Sequence, residues 1–356
     1  MWPYWLMFIP PALAALANSR LSSDQIGGSL RFTLKRGWWL VSVLTLLIGF
    51  RYQVGGDWGN YIRNLQSLSR RSLTETLTGS DPGYRLLEFL SVYNDWGIYG
   101  VNLIGAAFFS FGLVIFCRNL PRPWLALTVA MPYMVTVVAM GYTRQGIAIG
   151  LAMLGLVALG RHSVRKFVFW VLLGVTFHKS AILLLPIAAL AATRKRLWTA
   201  VWVAVIVAGA YSQFLAESVD VLYQNYVEDE YQSQGALIRL SMNAVPAVIL
   251  LRWRRNFEMS LAQMRLWTWF ALISLALLAA YFVTPASTAL DRIALYMLSL
   301  QLAVFAYVPE VFGGRRTRNQ LFVAAVVGYY ALVLFVWLNF ATHARYWVPY
   351  KNWLFI

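Results

Sequence analysis

Long apolar runs alternate with short polar stretches along the whole chain, and this alternation predicts a membrane protein built from helices. The runs lie near residues 2–17, 38–50, 97–117, 124–141, 146–160, 167–177, 180–193, 197–215, 238–251, 266–283, 293–308 and 321–338. Several are shorter than the roughly 20 residues of a full crossing, so these should tilt, thin the bilayer or end in a protein-lined cavity. We expect an all-α polytopic membrane protein, 1–356, with about 12 transmembrane or partly re-entrant helices.

Composition supports this class and excludes a soluble domain, because 60% of the residues are hydrophobic, 12% are charged and the mean hydropathy is +0.60. A signal peptide is the alternative for residues 2–17. The basic residues follow that run instead of preceding it, which favours a retained first helix. The single cysteine, Cys117, excludes a disulfide framework and a thiolate metal cluster.

The net charge of +16 would suggest nucleic acid as a partner if the basic residues were evenly distributed. Most of them instead form clusters that follow alternate apolar runs, as the positive-inside rule requires of cytoplasmic loops. This assignment places both termini on the outer side of the membrane and leaves that side with balanced charges. The excess positive charge therefore reflects the topology of the chain, and nucleic acid is not expected as a partner. We expect the functional residues on the outer side of the membrane.

The first outer loop, residues 51–96, begins with an unusual stretch. Arg51, a pair of glycines and Asp57 follow directly after the second apolar run, at the expected edge of the hydrocarbon core. Apolar residues at helical spacing from Tyr61 onward predict an amphipathic helix on the outer surface, and a second surface helix is expected over residues 84–93. We expect most of this loop, Glu88 and Asp95 included, to be a solvated cover without chemistry.

The fourth and fifth apolar runs meet at Arg144 and Gln145, which open a helix on the outer side. The free N–H groups and the positive dipole end of such a helix favour an anion. A planar guanidinium beside them can bind two phosphate oxygens. A snorkelling anchor is the alternative interpretation of Arg144.

The hairpin formed by the sixth and seventh runs is too short for two full crossings. Only residues 167–193 separate the flanking basic clusters, whereas two crossings need about 40 residues. Its polar tip, which includes His178 and Lys179, should therefore lie below the outer surface in a water-filled cavity. Ionisable groups at such depth are usually functional. Lys179 could instead extend outward, and a histidine on an apolar face can be purely structural.

Three further outer features complete the candidates. Residues 216–237 form a second outer loop, acidic and aromatic, that could contact sugars or simply be solvated. Arg292 and Tyr296 lie four residues apart and share one face of the eleventh helix. Arg345 lies in an aromatic terminal stretch, where it could line the site or anchor the tail.

The sequence contains no P-loop, no G-x-G-x-x-G motif after a strand and no G-x-S-x-G elbow. Histidines and carboxylates do not occur at metal-ligand spacing. We therefore expect neither a cofactor nor a metal ion.

Four short motifs together resemble the EpsG branch of the Wzy-like bacterial polysaccharide polymerases, which make O-antigens and exopolysaccharides. The motifs are Arg51-x4-Gly56-Asp57-x3-Tyr61, Thr143-Arg144-Gln145-x2-Ala148, His178-x-Ser180-Ala181 and Arg292-x3-Tyr296. Each is weakly specific alone, but their order and their common side of the membrane strengthen the resemblance.

The resemblance implies a multi-helix glycosyltransferase of the GT-C type in the bacterial inner membrane. It implies transfer of a growing glycan from undecaprenyl diphosphate to a new lipid-linked repeat unit at the periplasmic face. The implied partners are an undecaprenyl-diphosphate-linked oligosaccharide, the lipid bilayer and a chain-length regulator or flippase.

The residues fit such chemistry, because breaking a sugar–diphosphate bond develops negative charge that cations can stabilise without a metal. The catalytic candidates are Arg51, Asp57, Arg144, His178 and Arg292. The substrate-binding candidates are Gly56, Tyr61, Gln145, Lys179, Tyr296 and Arg345. Asp57 and His178 are alternative general bases for the acceptor hydroxyl, with Asp57 slightly favoured because it lies among glycines.

A transporter of lipid-linked oligosaccharides is the main alternative from another class. Alternating access predicts charges along both halves of a central path and often repeated halves. Here the candidate charges lie on one side and no internal repeat is evident, which favours an enzyme. A glycan ligase or an acyltransferase is a further alternative.

Overall fold

The computed structural model describes residues 1–19, 34–68, 72, 75, 81–191, 196–214, 235–284, 287–313 and 316–356. Within these ranges the α-helices are α1 (Trp2–Ala17), α2 (Leu34–Gly49), α3 (Trp58–Leu68), α4 (Pro82–Tyr93), α5 (Gly97–Arg118), α6 (Pro123–Ala130), α7 (Thr143–Gly160), α8 (Val164–Phe177), α9 (Leu185–Ala191), α10 (Arg196–Phe214), α11 (Ala236–Arg252), α12 (Leu261–Tyr281), α13 (Ser287–Gly313) and α14 (Arg316–Phe340). A π-helix, Met131–Ala139, continues α6, and a 3-10 helix, Lys179–Leu184, precedes α9. Most of the second predicted outer loop, 216–237, lies outside the described residues.

The all-helical prediction is confirmed, since every predicted apolar run coincides with a helix of the described ranges and no strand occurs there. Five of these helices are long and apolar enough to cross a membrane: α5, α7, α12, α13 and residues Asn319–Phe340 of α14. The chain is therefore a helical membrane protein. It folds as two compact units, residues 1–150 with 305–356 and residues 151–304.

A helix is present at each of the two positions predicted in the first loop. In α3, Tyr61, Leu65 and Leu68 are buried on one face, at the spacing of an amphipathic helix. The second, α4, begins at Pro82, where proline loses no helical hydrogen bond.

The expectation that Glu88 is solvated is wrong, because only 1% of this residue is exposed. Tyr84, Leu87, Glu88 and Ser91 recur at the spacing of one helical face, and all four are buried. The carboxyl group follows its apolar neighbours into the interior. Asp95, after the end of α4, is exposed as expected.

Close helix packing in the first unit depends on two glycines. A Cβ added at Gly150 on α7 would lie 2.6 Å from the Cα of Phe109 on α5. A Cβ at Gly112 would lie 2.0 Å from the carbonyl oxygen of Gly150. Gly112 and Gly150 thus form a small-residue contact between two helices. It holds α5 and the start of α7 side by side.

The last residues of the chain pair with the stretch that follows α2. The backbone N–H of Gly55 donates to the carbonyl of Tyr346 at 3.0 Å, and that of Tyr52 donates to the carbonyl of Lys351 at 2.9 Å. An isolated antiparallel bridge joins Arg51 to Asn352. The terminal segment therefore fixes the backbone that carries Arg51.

In the second unit, the hairpin around His178 is as short as its sequence predicts. Helix α8 has 14 residues, which corresponds to about 21 Å and is less than the roughly 30 Å hydrocarbon core. It ends at Phe177, and His178 has an extended backbone before the 3-10 helix begins.

Candidate functional site

Arg51 forms the centre of a buried polar cluster in the first unit. Only 1% of it is exposed. Its Nη2 donates to Asn102 Oδ1 at 2.9 Å and to Thr143 Oγ1 at 2.8 Å, and its Nη1 donates to the Ile48 carbonyl at 2.7 Å. Burial lowers the pKa of Arg51 to about 10. That value is still far above neutrality, so the guanidinium remains charged.

Arg144 approaches the same cluster from the first turn of α7. Its Nη1 lies 3.5 Å from Asp81 Oδ2. Its Cζ lies 4.8 Å from the centre of the Tyr84 ring and 6.0 Å from that of Tyr61. The ion pair is long, and 28% of the side chain is exposed. Arg144 is therefore a cation with loose partners at an accessible edge, whereas Arg51 is enclosed.

Tyr61 connects the two arginines. The centre of its ring lies 6.0 Å from Arg144 Cζ, and the charges of both Arg144 and Arg51 act on its hydroxyl. Burial raises the pKa of Tyr61, and the nearby carboxylate of Asp57 raises it further. The first two motifs, one before α3 and one at the start of α7, are thus brought together. Asp57 lies half-buried at their edge.

Several polar atoms of this cluster are buried without any hydrogen-bond partner among the described residues. These atoms are Arg51 Nε, Tyr84 Oη, Glu88 Oε1, Asn102 Nδ2 and Arg144 Nε. Buried polar groups are almost always paired, and an unpaired one costs about 1–3 kcal/mol. Such a concentration beside two arginines indicates a place where a polar ligand completes the bonding.

The two glycines of the first motif have different roles. Gly55 has φ +107°, and a Cβ there would lie 2.5 Å from the carbonyl oxygen of Met140, so the backbone requires glycine. Gly56, the predicted substrate contact, is exposed, and its nearest neighbour would be Tyr346 at 3.9 Å. The surface beside Gly56 is open.

The other two predicted contacts in this unit differ in exposure. Gln145 is buried. Arg345 is exposed and donates to the hydroxyl of Tyr346 at 3.0 Å, beside Gly56. Their predicted roles in substrate binding stay predictions.

In the second unit, the third and fourth motifs also come together. His178 Nδ1 lies 2.6 Å from Ser180 Oγ, which lies 3.0 Å from Tyr296 Oη. The backbone N–H of Ser180 also donates to Nδ1 at 3.3 Å. Nδ1 is therefore the acceptor, and a neutral His178 carries its proton on Nε2. In this arrangement Tyr296 donates to Ser180 and Ser180 donates to the histidine.

Lys179 and Arg292, the remaining predicted residues, are half-buried in this unit. Asp291, the residue before Arg292, accepts two hydrogen bonds from Arg239. Nε donates to Oδ1, and Nη2 donates to Oδ2 at 2.7 Å. Such bidentate pairs fix orientation. This one anchors the start of α13 to α11.

The model of the EpsG family matches residues 38–352. The chain belongs to the EpsG family. Neither a curated protein nor a solved structure matches it. The family suggests a polysaccharide polymerase-like function, and the matched range includes all four motifs by which the sequence resembles EpsG proteins.

Sequence reasoning missed several polar members of the cluster in this EpsG-family chain. Asp81, Tyr84 and Glu88 belong to a loop that the sequence predicts to be mostly a solvated cover, although helical spacing places Tyr84 and Glu88 on one face. Asn102 is not among the predicted site residues, although an asparagine within the apolar helix α5 is a signal, because an amide in such a helix needs a partner.

Proposed function

We propose that this EpsG-family protein polymerises undecaprenyl-diphosphate-linked oligosaccharide repeat units at the periplasmic face of the bacterial inner membrane. The polar cluster of the first unit would bind the diphosphate of the donor. The donor is lipid-linked, which agrees with the lack of a nucleotide-binding motif in the sequence.

The observation that carries this proposal is the set of unsatisfied donors beside Arg144. Arg51 Nε, Asn102 Nδ2 and Arg144 Nε can only donate hydrogen bonds, and all three are buried without partners among the described residues. Two guanidinium groups supply positive charge in the same cluster. Donors and cations together suit phosphate oxygens better than a neutral sugar.

In the proposed reaction, an acceptor hydroxyl of one lipid-linked unit attacks the anomeric carbon of the donor glycan. A new C–O bond forms as the bond between that carbon and the diphosphate oxygen breaks. Undecaprenyl diphosphate leaves with the electron pair, and its charge is stabilised by Arg51 and Arg144. The hydroxyl proton passes to a base, which we assign to Asp57.

The arrangement around His178 supports that assignment. Because Nδ1 already accepts two hydrogen bonds, the neutral imidazole presents a donor at Nε2. A donor suits binding to a phosphate or sugar oxygen and does not suit removal of a proton. We assign His178 and Arg292 to binding substrate oxygens, with Lys179 as an additional cation.

The test is a reconstituted assay in which purified protein is mixed with a single lipid-linked repeat unit and products are resolved by length. Dimers and longer products are expected. Asp57→Asn should bind the substrate normally and turn it over at least about 100-fold more slowly. Translocation of the substrate across a vesicle bilayer without elongation would favour a flippase, and transfer to an acceptor without a lipid would favour a ligase.

A further inference from the structure

Glu88 is a carboxyl group in a cluster that otherwise offers mainly donors. It is 1% exposed, and its Oε1 has no partner among the described residues. Asp81, not Glu88, forms the ion pair with Arg144. A second buried carboxylate beside the same cation would compete with any anionic ligand for it.

The neutral form of Glu88 resolves this conflict. A protonated carboxyl has one O–H donor. With that proton, Glu88 matches the unsatisfied donors of Arg51, Asn102 and Arg144 and the unpaired hydroxyl of Tyr84. Tyr84 and Glu88 are four residues apart on the buried face of α4, so both groups face the same interior.

We propose that Glu88 is a further ligand-binding residue, which holds a proton and donates it in a hydrogen bond to a diphosphate oxygen of the donor substrate. This inference rests on the proposed function. It makes substrate binding a proton-coupled step, because the anion and the neutral carboxyl are stabilised together.

The surroundings of the carboxyl support a protonated state. Burial raises the pKa of Glu88 to about 7, while Arg144 and then Arg85 oppose this rise and Asp81 adds to it. The charged and titratable groups around it are Asp81, Tyr84 and Arg85 at the start of α4, Arg144 on α7 and, next to Tyr84, Tyr61 on α3. On α5, Tyr99 interacts with Tyr52 instead. A bound anion adds negative charge and should raise the pKa further.

Affinity for the substrate should depend on pH through the Glu88 carboxyl. A raised pKa means that the carboxyl is protonated below about pH 7 and loses its proton above it. Affinity for the substrate should therefore be highest at low pH. It should fall as pH rises through the pKa of the free protein, by up to about tenfold per pH unit.

The experiment measures binding of a polyprenyl-diphosphate-linked sugar to the purified full-length protein between about pH 6 and about pH 8.5. The diphosphate diester of this probe keeps a constant charge over that range. Wild-type affinity should fall with pH. Glu88→Gln keeps a donor without an ionisable group, so its affinity should be retained and should not depend on pH. Asp95→Asn, an exposed carboxylate after the same helix, is the matched control and should behave as the wild type.

A second measurement uses the wild-type protein alone. Calorimetric titration in buffers of different ionisation enthalpy should detect uptake of up to one proton per bound ligand near pH 7.5. Wild-type affinity that does not change with pH, or Glu88→Gln affinity as pH-dependent as that of the wild type, would overturn the inference.

A third variant distinguishes failure of the proposed diphosphate site from failure of the proposed role of Glu88. Arg144→Ala should abolish probe binding at every pH. If this variant binds the probe normally, the diphosphate site is elsewhere. If Arg144→Ala loses binding while Glu88→Gln behaves as the wild type, only the role of Glu88 is lost.

Discussion

Substitution of the two arginines of the cluster should destabilise the fold to different degrees. Arg144→Ala is the informative change, because it should separate the loss of activity from the loss of stability. The side chain has one long ion pair of 3.5 Å to Asp81, and its guanidinium lies 4.8 Å from the centre of the Tyr84 ring. A partly exposed ion pair contributes about 0–1 kcal/mol, and a cation–π contact contributes about 0.5–2 kcal/mol. Removing both should cost the fold about 1–2 kcal/mol, so the variant should remain folded.

Its effect on the reaction should be much larger. If Arg144 stabilises the charge that develops on the leaving diphosphate, its loss resembles removal of one donor from an oxyanion site. Such a loss costs about 3–4 kcal/mol, or about 10²–10³ in turnover. Long-chain polymer should disappear while the protein stays in the membrane.

Arg51→Ala should damage the fold as well as the reaction. Arg51 makes three hydrogen bonds of 2.7–2.9 Å, all of them from a charged and enclosed group. Hydrogen bonds to charged groups contribute about 1.5–3 kcal/mol each and are not additive, and the desolvation cost of the cation offsets part of them. We expect a net loss of about 3–5 kcal/mol.

The assay pairs thermal unfolding in detergent with the length distribution of products from a lipid-linked repeat unit. Arg63→Ala is the matched control, because Arg63 lies on neighbouring α3, where it forms an exposed hydrogen bond with Asn60. Two results would refute this reasoning. One is retained polymer chain length in Arg144→Ala, and the other is an unfolding temperature of Arg144→Ala as low as that of Arg51→Ala.

Three further substitutions test the backbone and the cluster around His178. Gly55→Ala should lower the free energy of unfolding by about 1–3 kcal/mol or more, because φ is +107° and the new Cβ would contact Met140. Gly56→Ala is the control and should be tolerated. Equal unfolding temperatures of the two variants would contradict this prediction. Tyr296→Phe removes the hydroxyl that bonds Ser180 at 3.0 Å and should reduce turnover by about tenfold without changing the amount of protein in the membrane. An unchanged product length distribution would show that this hydroxyl has no role.

The sequence alone determined the class of the protein and the positions of its helices. Apolar runs must be helical in a bilayer, because every backbone N–H and C=O has to be paired within the segment. The same reasoning predicted the short hairpin before His178, since chain length limits the distance that a helix can cover. Amphipathic spacing likewise identified α3 and α4.

The candidate site could be predicted only in part. An arginine at a helix start and a glycine-flanked carboxylate are local signals, and both Arg51 and Arg144 were found in this way. Their different roles were not predictable, since both are arginines near helix ends and only their packing distinguishes the enclosed one from the accessible one.

Tertiary structure alone decided which polar groups meet. Helical periodicity shows that Tyr84 and Glu88 share a face, but it does not say whether that face is toward water or toward Arg144. Asn102 and Thr143 come together on Arg51 because glycines let α5 and α7 approach, a contact between residues far apart in the chain. Burial and hydrogen-bond partners are properties of the packed fold, and through them weakly specific sequence motifs form a candidate site.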